Sequence, residues 1–162
     1  MNALWEASDF VHKLRVRMRF GKLSRAPLKL LRLEVKGEAA ECEWMARPAD
    51  TWDADLSCSL GEKNASLQAL EDSLAVREML FAAMPGVSSA VFRVYRAVEG
   101  AETKAEAGPE AELIIVGTVE RDEQVAGNIR SLAMRAQLFG FRFWMDNGVL
   151  GTLQSRECAM SS

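Results

Sequence analysis

Residues 11 to 23 read VHKLRVRMRFGKL, and from His12 to Phe20 apolar and cationic side chains alternate. Leu14, Val16, Met18 and Phe20 share one parity, while Lys13, Arg15, Arg17 and Arg19 share the other. A period of two belongs to a half-buried strand, so the spacing predicts a first strand with four cations on its outer face. Those cations are either a docking surface for an anion or one rail of a cross-strand charge ladder. The reading of this stretch decides whether the chain opens with a sheet.

Working outward, GKLSRAP (residues 21 to 27) reads as a turn, and LKLLRLEVK as a second strand. That strand would turn Leu31, Leu33 and Val35 inward and Arg32, Glu34 and Lys36 outward. Gly37 supplies a tight turn because it tolerates positive φ. EAAECEWMA follows as a strand with Ala40, Cys42 and Trp44 inside and Glu41 and Glu43 outside, completing an antiparallel meander over residues 11 to 46. After a long connection, Ser66 can cap a helix from Leu67 to about Met84, stopped by Pro85-Gly86.

VSSAVFRVYRAV reads as a strand, EGAETKAEAGPEAE as a mobile hairpin loop, and ELIIVGTVE as a central strand buried on both faces. Asp122 is the expected cap of a second helix carrying Val125, Ile129, Leu132, Ala133 and Ala136, with Gly140 at its C′ position. FRFWM is the next strand, and Asn147-Gly148 is a strong hairpin signal leading into VLGTL. The expected class is therefore α+β, an antiparallel sheet with two helices on one face in the order β-β-β-α-β-β-α-β-β. Its later part has a ferredoxin-like order. Residues 1 to 153 form one domain, with an α-β-β-α-β-β unit over 66 to 153 and a flexible tail at 154 to 162.

Of the 162 residues 49% are hydrophobic and 27% charged, the balance of a globular chain with a real core. No run approaches the roughly 18 to 20 apolar residues that cross a bilayer. The first residues carry acids and no apolar block, so a secretory signal is not expected and the cytoplasm is the default location. Charge is segregated. Nine Lys and Arg face three acids up to Lys36, and eleven face twenty from Gly37 onward. Such segregation marks either an anion-binding face or neighbouring strands that neutralise each other.

Little in the chain suggests catalysis. His12 is the single histidine, and Cys42, Cys58 and Cys158 lack zinc-site spacing. No GxSxG, HExxH, P-loop or GxGxxG motif is present, and no cofactor is implied. One enzymatic candidate is the loop holding Asp50, Asp53 and Asp55, whose oxygens could serve a Mg²⁺- or Ca²⁺-dependent hydrolase. Trp52 in that loop is a lid over the core or an anchor for a partner.

As a strand row, Arg15, Arg17 and Arg19 would stand at about 6.5 to 7 Å intervals. Lys22, Arg25 and Lys29 would extend them into a patch for nucleic acid or an acidic lipid surface. The competing use is a ladder in which Glu34 lies across from the arginine row while Glu41 and Glu43 face Arg32 and Lys36, each cross-strand pair contributing about 0.2 to 1 kcal/mol. The leading expectation is a non-catalytic domain that binds a protein partner or itself, with Trp144 exposed beside Arg142.

LIIVGTVERDEQVAGNIRSLAM followed by GFRFWMDNGVL resembles the BON domain over about residues 66 to 150. Gly117, Val119, Gly140 and Asn147 fall on the matching positions. The resemblance implies a helix-strand-strand-helix-strand topology and binding to membrane surfaces or envelope partners, without catalysis.

Overall fold

The structure, a computed structural model, describes residues 3–19, 21, 26–48, 58–97, 111–123, 125 and 127–153. The sequence there forms helix α1 (Ala3–Arg17), strands β1 (Lys29–Lys36) and β2 (Ala39–Met45), helix α2 (Cys58–Ala83), and strands β3 (Ser89–Ala97) and β4 (Ala111–Glu120). Helix α3 (Leu132–Leu138) and the short strands β5 (Phe141–Arg142), β6 (Met145–Asp146) and β7 (Val149–Leu150) complete it. The class is α+β: a mixed five-stranded sheet with three helices, and a separate β6–β7 hairpin.

The expected first strand is a helix. Phe10, Leu14 and Met18 are at most 7% exposed and recur every four residues, with Ala7 and Val11 packed beside them. That is one face of an α-helix. Leu14 and Met18 satisfy both periods, but Val16, inward in a strand, is 63% exposed. No meander forms as a result. β1 and β2 make a two-stranded hairpin through Gly37, whose φ is +59°, and the Met18 carbonyl accepts from Leu28 N–H to lead the chain into β1.

The sheet is not wholly antiparallel. β2 and β3 run parallel because α2 joins them. A helix of 26 residues, about 39 Å long, carries the chain back to the end it left. Strands neighbour one another in chain order, β1-β2-β3-β4-β5, so no strand separates the parallel pair as a ferredoxin-like split β-α-β would require. β2 reads as expected, with Ala40, Cys42 and Trp44 buried. β1 keeps Leu33 and Val35 on the core and Arg32, Glu34 and Lys36 outside, and departs at Leu31, which a bulge between Leu30 and Arg32 leaves without an opposite residue and 44% exposed.

The inner face of the sheet and all three helices share one hydrophobic core. Trp44 meets Phe92 edge-on with centroids 5.6 Å apart, and Phe92 stacks on Phe141 at 5.8 Å. Gly117 permits that stack, since a Cβ there would lie 2.7 Å from the Phe141 ring.

Two helix starts move. α2 begins at Cys58, and Ser66 is a buried interior residue whose hydroxyl accepts from Leu150 N–H at 2.9 Å. α3 begins only at Leu132, where the Ser131 side chain accepts from Met134 N–H; Asp122 lies in a turn. FRFWM divides into β5 and β6, and the Asn147-Gly148 turn has φ of 51° and 81°, both positive as a type I′ hairpin requires. Of the expected loop at 99–112, residues 99–110 lie outside the described residues, as does the tail at 154–162, while Ala111 and Glu112 already belong to β4. No helix among the described residues is long and apolar enough to cross a membrane.

Candidate functional site

Folding residues 3 to 17 as a helix redistributes the cations. At about 100° per residue, Arg15 and Arg17 stand on opposite flanks, so the row at 6.5 to 7 Å spacing does not exist. Trp5, His12 and Val16, at i, i+7 and i+11, fall within about 40° of one another around the axis. Ser8 and Arg15 border them. All five are exposed, Trp5 by 69% and Val16 by 63%. Asp9, about 40° from Trp5, borders them on the other side and pairs with Lys13 at 3.0 Å, with Glu6 and Arg17 beyond. Arg15 and Arg17 also close the last turn of α1, where cations offset the partial negative charge of the carbonyl end. Arg19, exposed, follows the helix. Of the remaining sequence-stretch candidates, Lys22, Arg25, Trp52, Asp50, Asp53 and Asp55 lie outside the described residues.

The outer face of the sheet uses its charges internally. Arg32 pairs with Glu34 and lies 3.0 Å from both Glu41 and Glu43. Arg93 reaches Glu43 at 3.3 Å and Glu41 at 3.7 Å, and Lys36 reaches Glu34 at 3.0 Å. The hydrogen bonds that Arg32 donates to Glu41 and Glu43 hold its guanidinium above its ordinary pKa. Within this ladder three cations thus meet three carboxylates, while exposed Lys29 and Arg142 stand on the same face beyond it. Of the expected ladder, the pairing of Arg32 with Glu41 and Glu43 is present, Lys36 turns to Glu34 instead, and the rail on residues 12 to 20 is absent because that stretch lies in and just after α1.

Other polar groups that chemistry might recruit are already engaged in the core. Arg47 and Asp72 are 1% and 3% exposed in their side chains, with Nε and Oδ2 2.9 Å apart. Neither atom completes an aligned hydrogen bond, so this is an ionic contact, supported by Gln68 donating to Asp72 Oδ1 at 2.9 Å. Burial pushes the Asp72 carboxyl up to about 6, against the downward pull of Arg47 and Gln68. Gly21 lies against this cluster, and a Cβ there would fall 2.6 Å from Arg47 Nη1 and from Gln68 Oε1.

Arg77 sits over Phe139 at 4.3 Å and Phe81 at 5.3 Å, donating to the carbonyls of Glu120 at 2.9 Å and Glu123 at 3.1 Å. Arg121 closes the end of α2, donating to the carbonyls of Met84 and Val87. Burial drives the Cys42 thiol up to about 12, which leaves it un-nucleophilic at neutral pH. No group of three or more metal-ligating side chains exists among the described residues.

Sequence reasoning missed these buried groups, although a signal was present. Gln68, Asp72, Val76 and Met79 recur at helical spacing and are all buried, as are Leu70, Ser73, Arg77, Leu80 and Met84. A polar residue inside such a seam needs a partner.

Two grooves are small. One of about 240 Å³ lies on the outer sheet face beside Glu34, Ala39, Ser89 and Val91. One of about 290 Å³ lies between α2 and α3 beside Leu74, Arg77, Leu132, Arg135 and Phe139. Drug-sized ligands take roughly 300 to 1,000 Å³. Trp144 is 61% exposed beside exposed Arg142, with its ring lying over Gly151. Comparison with protein-family models, with curated proteins and with solved structures returns no significant match to this chain.

Proposed function

We propose that this chain is a non-catalytic binding domain whose macromolecular partner docks on the exposed flank of α1. The observation that carries the reading is the placement of Trp5 and Val16, 69% and 63% exposed, on one side of α1 with His12, bordered by Arg15 and by the Asp9–Lys13 pair. Trp and Arg dominate the energetics of protein interfaces, whereas Asp, Glu and Lys are depleted from their centres. Isolated exposed apolar residues are ordinary; a Trp and a Val aligned along one helix flank with an arginine are the composition of a contact surface.

Nucleic acid is the weaker partner for this surface. Arg15 and Arg17 cannot follow one phosphate backbone from opposite flanks of a helix, and Trp5 is alone as a stacking platform. The BON-like positions Gly117, Gly140 and Asn147 serve backbone demands of the fold, so they add no separate argument for an envelope role.

The test is photo-crosslinking from a benzoylphenylalanine placed at Ser8, in cells, with Arg93 on the outer sheet face as the control position. The reading expects a discrete adduct from position 8 and none from position 93. An adduct of twice the chain mass identifies self-association. Equal labelling from both positions, or none from position 8, refutes the reading.

A further inference from the structure

We infer that the groove between α2 and α3 binds a small zwitterion with an apolar body, an α-amino acid of about the size of leucine. This site is separate from the α1 flank and does not rest on the reading given for it.

The starting point is a pair of buried donors without acceptors. Among the described residues, a few buried side-chain polar atoms complete no hydrogen bond. Arg47 Nε and Asp72 Oδ2 at least face each other at 2.9 Å, and Trp44 Nε1 is sealed in the core. The other two, Arg77 Nε and Arg135 Nε, belong to side chains that line one groove of about 290 Å³. An arginine N–H only donates, so each needs an acceptor, and a buried donor left unmet is costly.

Arg77 is also fixed in place. It is 7% exposed, its Nη2 is held by the carbonyls of Glu120 and Glu123, and its guanidinium lies over Phe139 at 4.3 Å. A group ordered before its ligand arrives loses little entropy on binding.

The other walls define the rest of the ligand. Glu71, Leu74 and Glu78 recur at i, i+3 and i+7 along α2, and Leu132, Arg135 and Phe139 do so along α3 and its cap. Two guanidiniums thus share the groove with two carboxylates, half-buried Glu71 and exposed Glu78, and its charge is even. Burial holds the Arg77 guanidinium below its ordinary pKa, and Glu78 is near enough to pull the other way.

Charge separates the possible occupants. A simple carboxylate or a phosphate would satisfy the arginines but meet Glu71 and Glu78 with like charge. An amine would satisfy the carboxylates and leave both Nε donors unmet. A zwitterion answers both: its carboxylate accepts from Arg77 and Arg135, its ammonium donates to Glu78, and its side chain covers Leu74, Leu132 and Phe139. Such charge-assisted bonds are stronger than neutral ones. Size agrees, because drug-sized ligands take roughly 300 to 1,000 Å³ and an amino acid needs less.

The experiment titrates the isotopically labelled full chain by NMR with L-leucine, isocaproate, isoamylamine and N-acetyl-L-leucine. Isocaproate lacks the ammonium, isoamylamine lacks the carboxylate, and N-acetyl-L-leucine stands for the C-terminus of a peptide. Amides of Ala75 and Gly127 and the Nε–H signals of Arg77 and Arg135 report on the groove. The inference expects saturable leucine shifts there and binding of each analogue roughly 10-fold or more weaker. Arg135→Gln and Glu78→Gln should weaken leucine by a similar factor, and Glu78→Gln should strengthen isocaproate. Circular dichroism and melting confirm that both variants fold, and the analogue series on the parent decides the matter without them.

No saturable shift at millimolar leucine, or shifts confined to other surfaces, overturns the inference. Isocaproate or N-acetyl-L-leucine binding as tightly as leucine overturns the zwitterion in favour of a simple carboxylate or a chain terminus. None of these outcomes bears on crosslinking from position 8, so the two readings fail separately.

Discussion

Replacing one member of the Arg47–Asp72 pair should be far worse than replacing both. The two side chains are 1% and 3% exposed, so neither keeps useful hydration. Burial raises the Asp72 carboxyl from 3.8 to about 6 even with Arg47 beside it. At 1.36 kcal/mol per unit, ionised Asp72 is about 3 kcal/mol worse off in the fold than in the unfolded chain. Desolvation therefore exceeds the attraction, as is common for buried pairs. Asp72→Leu strands the Arg47 charge and Arg47→Met strands the carboxylate, and each should cost about 3 to 5 kcal/mol. For a domain of this size that lowers Tm by about 6 to 20 °C. The double variant, Arg47→Met with Asp72→Leu, should be as stable as the parent or up to about 4 kcal/mol more stable. Urea unfolding of all four proteins at pH 7 closes the cycle. Single variants within about 1 kcal/mol of the parent, or a double variant showing the sum of both losses, would refute this reasoning.

The same carboxyl makes stability depend on pH. Its folded pKa lies above its unfolded one, so the folded state holds the proton more tightly, and stability falls as pH rises from about 4 to about 6. The difference in unfolding free energy between parent and Asp72→Asn, followed from pH 4 to 7, should shift by up to about 3 kcal/mol and then level off; a flat difference contradicts it. Gly117→Ala should cost about 1 to 3 kcal/mol, since its Cβ would meet the Phe141 ring at 2.7 Å and the Phe141 Cα at 3.1 Å, and thermal melts read the loss. Arg77→Met should expose the 120–123 turn to exchange by removing the donor to the Glu120 and Glu123 carbonyls; unchanged amide exchange there would show that the turn holds without it.

What the sequence makes legible is local. The alternation of Ala40, Cys42 and Trp44, the positive φ at Gly37 and the Asn147-Gly148 hairpin each follow from a few residues, and each is present in the fold. Residues 12 to 20 mislead because Leu14 and Met18 lie on both a two-residue and a four-residue period. Only a window reaching back to Ala7 and Phe10 separates the two. The start of α2 is masked by Gly61 and Asn64, poor helix formers, and by Ser66, which resembles a cap while its hydroxyl serves Leu150. The parallel pairing of β2 with β3 is a consequence of a crossover helix, and the Leu31 bulge a consequence of cross-strand register; neither is written in one strand alone.

The candidate site is half legible in the same way. Composition reveals the surplus of cations near the start of the chain, but their division between two flanks depends on helix phase. So does the promotion of Trp5, which a strand beginning at His12 leaves outside the argument.

The central claim is that Trp5 belongs to a free docking flank of α1, and 5-fluorotryptophan NMR of the full chain tests it most directly. With Trp5→Phe used for assignment, the Trp5 resonance should show a large H₂O-to-D₂O shift in the free protein, while fully buried Trp44 shows none. Addition of the partner captured by crosslinking from position 8 should abolish the Trp5 solvent shift and leave Trp44 unmoved. A Trp5 signal already shielded in the free chain, or one that stays solvent-exposed in the complex, would contradict the account.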